Sequence, residues 1–186
     1  MQRGIKMPLD GFTREDGKVI GFAVGSLYEE AITKNEFQQW LLYILDKNEA
    51  DDLPLYFFDL LDFNFQDGLF HLSEIIGFSP GWLDYAIIYD EFSYNGRQNE
   101  ELKVVDYYTG DDDGYGNDDD YECYEMELSR ALTGIALARE TINLEYISCP
   151  PDRAIADLKK NPWVLDVFKE NFPFIDITCV ERLLAE

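Results

Sequence analysis

The stretch TKNEFQQWLLYIL, residues 33–45, decides the fold class. Five of its apolar residues follow the spacing i, i+3, i+4, i+7, i+8, which is the period of one buried helix face; they are Phe37, Trp40, Leu41, Ile44 and Leu45. Thr33 and Glu36 have the spacing of a capping box, in which two side chains satisfy the first N–H groups of a helix. We therefore predict a helix that begins after Thr33. Ser26 and Glu29 show the same spacing upstream.

The segments on either side of this helix also carry patterns of secondary structure. Upstream, KVIGFAVG (Lys18–Gly25) is apolar and β-branched, which predicts a short strand or an extended segment. Downstream, Leu53–Phe63 predicts a helix that starts at Pro54 and turns Asp59 and Asp62 outward. Two more helices are expected at Asp67–Phe78, ended by Gly77, and at residues 81–92, where Ser79 and Pro80 introduce an apolar segment that we expect to be buried.

The second half of the chain is again mostly helical in pattern. Leu102–Tyr108 and Leu144–Cys149 predict short strands. Glu125–Ile142 has helical apolar spacing, and three short helices are expected at 151–160, 162–171 and 176–185, the last capped by Asp176. We predict a mainly α fold, a single compact helical domain over residues 1–186 with at most a small β-sheet or hairpin.

The most unusual segment is DYYTGDDDGYGNDDDYECYEME, residues 106–127, which we call the acidic segment. It contains ten carboxylates and five tyrosines and no lysine or arginine. Adjacent like charges repel one another and favour an extended, solvated chain. We therefore expect an acidic surface loop at residues 109–124.

The negative charge is concentrated in the middle of the chain. The net charge is −23, and residues 48–129 contain 22 acidic and two basic residues, a net charge of −20. The remaining residues contribute only −3. Solubility alone would be served as well by spreading the charge, whereas a local negative field steers a cationic partner. The pattern therefore indicates a basic protein partner.

The same charge distribution and the cysteine pattern exclude several function classes. Nucleic acids and anionic membrane surfaces need lysine and arginine to bind them, so we expect neither as a partner. Cys123, Cys149 and Cys179 form no CxxC pair, which argues against a disulfide framework and a zinc site. The N-terminal residues lack the apolar run of a signal peptide, and no segment has the length of a membrane span. We expect a cytoplasmic protein.

Residues 111–122 are twelve residues long, the length of a calcium-binding EF-hand loop. Asp111, Asp113, Gly116, Asp119 and Glu122 fit positions 1, 3, 6, 9 and 12 of that loop. However, Tyr115 at position 5 offers no carboxylate or amide oxygen, and a strand is predicted where a helix should precede the loop. We therefore expect no metal and no cofactor.

Histidine-based catalysis would have to use His71, the only histidine of the chain. No cysteine or second histidine lies near it in sequence, so neither a metal site nor an activated nucleophile is indicated. Paired carboxylates could still serve an enzyme, with or without a divalent metal. We predict no catalytic residues.

The tyrosines of the acidic segment support a mimicry hypothesis. Spaced carboxylates imitate phosphates, and tyrosine rings can occupy the places where bases stack on a nucleic-acid enzyme. Such a surface could fill the basic substrate cleft of a nuclease. The predicted partner-binding residues are Asp111, Asp112, Asp113, Tyr115, Asp118, Asp119, Asp120, Tyr121 and Glu122.

Gly21–Gly77 resembles small immunity proteins of bacterial contact-dependent inhibition and other polymorphic toxin systems. The similar features are GFAVG at Gly21–Gly25, the helix with Phe37 and Trp40, and PLYFFDLLD at Pro54–Asp62. The resemblance implies a non-enzymatic protein that binds a cognate toxin domain, often a basic nuclease, and blocks its active site. Two alternatives stay open: a nucleic-acid mimic that inhibits DNA- or RNA-binding proteins, and a carboxylate-based, possibly metal-dependent enzyme.

Overall fold

The structure, a computed structural model, describes residues 9–64, 68–69, 71–81, 124–143, 147 and 149–185. Within these ranges it contains a short 3₁₀ helix, Ala50–Asp52, and no β-strand. The α-helices of these ranges are α1 (Lys18–Tyr28), α2 (Lys34–Lys47), α3 (Leu55–Leu61), α4 (His71–Ile76), α5 (Tyr124–Arg139), α6 (Pro151–Lys160), α7 (Trp163–Asn171) and α8 (Thr178–Ala185). The prediction of a mainly α fold is confirmed.

The helix predicted from residues 33–45 is present as α2. Thr33 accepts the N–H of Glu36, and the Glu36 carboxylate accepts the N–H of Thr33, so the capping box is complete. Phe37, Trp40 and Leu41 are fully buried. The helix after Pro54 is also confirmed as α3.

The ends of the shorter helices follow local signals. α4 ends at Ile76 and is followed by Gly77, whose φ of +78° is a left-handed conformation that glycine adopts without strain. Asp176 accepts the N–H of Thr178, the first residue of α8, at 2.9 Å. At the predicted start of the helix at 81–92, neither Pro80 nor Gly81 is helical. The rest of that helix lies outside the described residues, as do the strand at Leu102–Tyr108 and most of Leu144–Cys149.

The predicted strand at Lys18–Gly25 is wrong, because this segment forms most of α1. Seven of the eleven residues of α1 are buried, so the helix is apolar on almost every side. A short apolar run of this kind has the same pattern in a buried strand as in a buried helix. The capping-box interpretation of Ser26 and Glu29 is wrong for the same reason: Ser26 lies inside α1 and is fully buried.

The hydrophobic core is centred on aromatic side chains. The indole of Trp40 lies within 6.3 Å, between ring centroids, of the rings of Phe12, Phe37, Phe57 and Phe172. These five residues come from the N-terminal segment, α2, α3 and the residue after α7, so one cluster holds distant parts of the chain together. Aromatic pairs at such distances add to the free energy gained by burying their surface.

α5 packs most closely against α6. A Cβ atom placed on Gly134 would lie 2.7 Å from the carbonyl oxygen of Ala154, so only glycine allows the two backbones to approach this closely. The face of α5 that the sequence predicted to be buried is confirmed, because Leu128, Ala131, Leu132 and Ile135 are fully buried.

One carboxylate joins the N-terminal helices to α5. Besides capping α2, Glu36 accepts a hydrogen bond from the Arg139 guanidinium, which also donates to the carbonyl of Ala31. The Arg139 side chain is only 9% exposed and lies over the ring of Phe168. Burial alone would raise the pKa of Glu36, but the hydrogen bonds from Arg139 and Thr33 outweigh it and hold the pKa below its usual value.

We expect Glu36→Gln to lower the free energy of unfolding at neutral pH by about 1–2 kcal/mol, because it removes the charge that balances the buried Arg139. A carboxyl group with a lowered pKa stabilises the fold fully above its unfolded pKa, near 4.5, and this contribution is lost as the pH falls through the folded value. The difference between the two proteins should therefore disappear in acid. Urea unfolding between neutral pH and about pH 3 measures it.

The matched control is Glu181→Gln, since Glu181 also forms an ion pair, with Lys169 at 2.8 Å, but both side chains are about half exposed. Exposed ion pairs contribute little, so this variant should stay within about 0.5 kcal/mol of the wild type. Equal losses for the two variants would contradict a special role for Glu36.

Candidate partner-binding surface

The predicted partner-binding residues all lie outside the described residues. These are Asp111, Asp112, Asp113, Tyr115, Asp118, Asp119, Asp120, Tyr121 and Glu122. Their assignment stays a prediction. The structure does describe the C-terminal end of the acidic segment, which enters α5.

That end corrects one expectation about the acidic segment. Its charges were expected to be solvated, but Glu127 is buried, accepting hydrogen bonds from Lys160 at 2.8 Å and from Asn161 at 2.7 Å. The partners come from α6 and the residue after it, which explains why a segment without lysine or arginine can bury a carboxylate. Glu127 lies one helical turn before the buried Ala131, a spacing that could have placed it on the inner face.

We call residues 48–129 the acidic half of the chain, and its described part includes a negative surface around α3. We call this surface the α3 corner and define it as Asp51, Leu55, Phe58, Asp59 and Asp62. Asp51 belongs to the 3₁₀ helix, and the other four have the spacing i, i+3, i+4, i+7 along α3 and its C-terminal cap. The outward position predicted for Asp59 and Asp62 is confirmed, because both are exposed.

Leu55 is the residue of the α3 corner that sequence reasoning missed. Its side chain is 85% exposed, the largest value among the exposed large hydrophobic residues that the structure describes. Phe58, one turn further on, is half-buried. The signal was present in the sequence, because Leu55 lies four positions before Asp59 and therefore on the same helix face.

The carboxylates of the α3 corner differ from those elsewhere in the fold. Among the residues that the structure describes, none forms a hydrogen bond or ion pair with the side chain of Asp51, Asp59 or Asp62. By contrast, Asp157 is paired with Arg130 at 2.5 Å and Glu127 with Lys160, each with little exposure of the carboxylate. The acidic residues thus fall into two groups, one paired inside the fold and one directed to solvent.

A partly buried polar network along α5 is the other candidate for a chemically active site. Glu29, at the end of α1, accepts hydrogen bonds from Ser129 and from Thr133, the latter at 2.9 Å. Cys149 lies near this group. Burial raises the pKa of its thiol; the Arg130 guanidinium acts in the opposite direction, and the carboxylates of Glu29 and Asp157 raise the pKa again. A thiol with a raised pKa is a poor nucleophile at neutral pH.

Neither His71 nor any cluster of metal-binding side chains suggests a catalytic site in the described residues. His71 is exposed and lies 2.7 Å from the Glu74 carboxylate one turn along α4, in a surface pair typical of helices. No group of three histidine, cysteine, aspartate or glutamate side chains suited to a metal ion occurs among the described residues. Within the same ranges, no helix has the length and apolar character needed to cross a membrane.

We expect Cys149 to react with iodoacetamide at least about tenfold more slowly than the exposed Cys179 at neutral pH, because burial and two carboxylates disfavour its thiolate. Peptide mass spectrometry of time points measures both rates in one sample. In denatured protein the two cysteines should react alike. Faster labelling of Cys149 in the folded protein would indicate an activated thiolate and favour an enzyme.

Comparison with known proteins identifies no relative of the chain. No family model matches it, and neither a curated protein nor a solved structure matches it at a significant level. The resemblance of Gly21–Gly77 to immunity proteins therefore stays an expectation, and the case for a function depends on the charges and geometry described above.

Proposed function

We propose that this chain is a non-enzymatic immunity protein that binds a basic toxin domain, such as a nuclease, and blocks its active site in the cytoplasm. The observation that carries the proposal is the concentration of charge, with −20 of the net −23 within residues 48–129. A field of this kind raises the rate at which a cationic partner is encountered.

The α3 corner supports the proposal from the described part of that region. Its carboxylates face solvent, whereas Asp157 and Glu127, which lie around α5, are paired with arginine and lysine side chains of the same chain. Carboxylates that stabilise a fold are usually paired or hydrogen-bonded inside it, so the α3 corner contributes negative field rather than internal ion pairs. An exposed leucine among these charges adds apolar area that a partner can bury.

In the proposed mechanism, binding proceeds in two steps. Long-range attraction first brings the basic face of the toxin to the acidic half of the chain. The acidic segment then occupies the cleft, where Asp111–Asp113 and Asp118–Asp120 take the places of phosphates, and Tyr115 and Tyr121 stack as bases would. Tyrosine suits this role because its large, rigid ring loses little conformational entropy on binding.

Affinity capture tests the proposal directly. The immobilised chain is exposed to lysate of the source organism, eluted with rising salt and analysed by mass spectrometry. One tightly held basic nuclease-like protein supports an immunity protein. Many loosely held DNA-binding proteins would instead indicate a nucleic-acid mimic, and retention of no protein would contradict both inhibitor hypotheses.

With the captured partner, we expect the triple substitution Asp118→Asn, Asp119→Asn and Asp120→Asn to slow association by about tenfold at low salt and to flatten its salt dependence, with a smaller change in the dissociation rate. Stopped-flow mixing over a salt series measures these rates. Electrostatic steering depends on the charge near the contact surface. Removal of charge from the acidic segment should therefore slow association more than removal of the same charge elsewhere.

The matched control removes the same charge from exposed residues outside the acidic half, as Asp10→Asn, Glu15→Gln and Glu140→Gln. This variant should associate at nearly the wild-type rate. If the two triple variants associate equally fast at low salt, the acidic segment is not part of the interface.

A further inference from the structure

We propose that the α3 corner is a docking surface for a cationic amphipathic segment of the partner protein. The apolar side of that segment would cover Leu55 and Phe58, and its lysine or arginine side chains would pair with Asp59 and Asp62. The inference rests on the proposed function, which it deepens by naming a second contact surface and the chemistry of the segment that binds it.

The geometry of α3 divides this face into an apolar end and an acidic end. Leu55 and Phe58 lie in the first turn, and Asp59 and Asp62 follow one and two turns after Leu55. At a rise of 1.5 Å per residue, the face extends about 10 Å along the helix axis. It therefore matches a short segment that carries apolar residues beside basic ones at helical spacing.

Charge identifies the occupant. A second copy of this chain would bring carboxylates against carboxylates, and nucleic acids and anionic membranes carry the same sign of charge. Only a cationic segment gains both from pairing with Asp59 and Asp62 and from covering Leu55, which is 85% exposed.

The surface is also held rigidly. On its inner side α3 buries Phe57 and Leu60 completely, and the hydroxyl of Tyr56 donates to the carbonyl oxygen of Phe12 at 2.7 Å. A binding face on a fixed helix loses little conformational entropy when it is occupied, which favours affinity. The α3 corner is thus suited to anchor a partner that the charge of the whole acidic half attracts.

The test uses a synthetic amphipathic peptide of about 18 residues with leucine on one helical face and lysine on the other. Its affinity for the full chain is measured by fluorescence anisotropy at about 0.15 M salt. We expect Leu55→Ser to weaken binding at least about fivefold, because it removes the apolar contact. The matched control is Leu42→Ser, since Leu42 is also exposed, at 58%, but lies on α2 outside the corner; it should change binding less than about twofold.

A second peptide, with serine in place of every leucine, separates apolar docking from simple charge attraction. This serine peptide should bind more weakly, and Leu55→Ser in the protein should not weaken its binding further. The effect of Leu55→Ser should therefore depend on the leucines of the peptide. Asp59→Asn with Asp62→Asn should reduce the salt dependence more than Asp10→Asn with Glu15→Gln, which removes the same charge elsewhere.

Three results would contradict docking at the α3 corner. The first is equal weakening of binding by Leu55→Ser and Leu42→Ser, and the second is equal weakening of both peptides by Leu55→Ser. The third is no binding of the leucine–lysine peptide to the wild type. Any of these results leaves the affinity capture with lysate unaffected, because that experiment depends on the charge of the whole acidic half. Conversely, peptide binding without a captured toxin would support the surface and remove support for the immunity function.

Discussion

One carboxylate, that of Glu36, both caps α2 and joins this helix to α5. One of its oxygens accepts the N–H of Thr33 and completes the cap of α2, while the other accepts the guanidinium of Arg139. The second contact joins residues 103 positions apart, so it closes the N-terminal helices onto α5. Because Arg139 is almost fully buried, the loss of Glu36 would leave a cation without its counter-charge in a desolvated place.

α5 makes polar contacts with several other helices along its length. It contacts α1 through Glu29, α2 through Arg139 and α6 through Arg130 and Glu127. Buried polar contacts of this kind require specific partners, unlike apolar packing, and so they fix the rotation of the helix about its axis. The C-terminal end of the acidic segment is therefore held against α6 by hydrogen bonds from Lys160 and Asn161 to Glu127.

Local signals predicted the parts of the fold in which one helix face determines the structure. The capping box and apolar spacing of α2 were sufficient, as were the prolines and Asp176 that begin the C-terminal helices. α1 was missed because a helix buried on almost every side has no polar face to reveal its period. The hydrogen bonds that compensate the burial of Glu127 were missed because its partners, Lys160 and Asn161, come from more than 30 residues away. No local pattern contains such a pairing.

The residues of the α3 corner could also be predicted only in part from the sequence. The sequence alone indicated which region is strongly negative, because net charge can be counted without knowing the fold. It also placed Asp59 and Asp62 on the outer side of the helix that became α3. It did not single out Leu55, although Leu55 shares a helix face with Asp59, because apolar residues surround it in the sequence; the structure shows that its side chain is exposed. The exposure of each side chain thus depends on the fold, whereas the net charge of the region follows from the composition alone.

The carboxylates of the described residues fall into two groups that differ in pairing and exposure. Glu36, Glu127 and Asp157 are paired and largely buried, so salt screens them weakly. The carboxylates of the α3 corner are exposed, and repulsion within the acidic half destabilises the compact chain. Added salt should therefore relieve this repulsion and stabilise the fold, while it should weaken attraction of the proposed cationic partner. The opposite salt responses follow from the separation of the two groups, which an even distribution of the same charge would not produce.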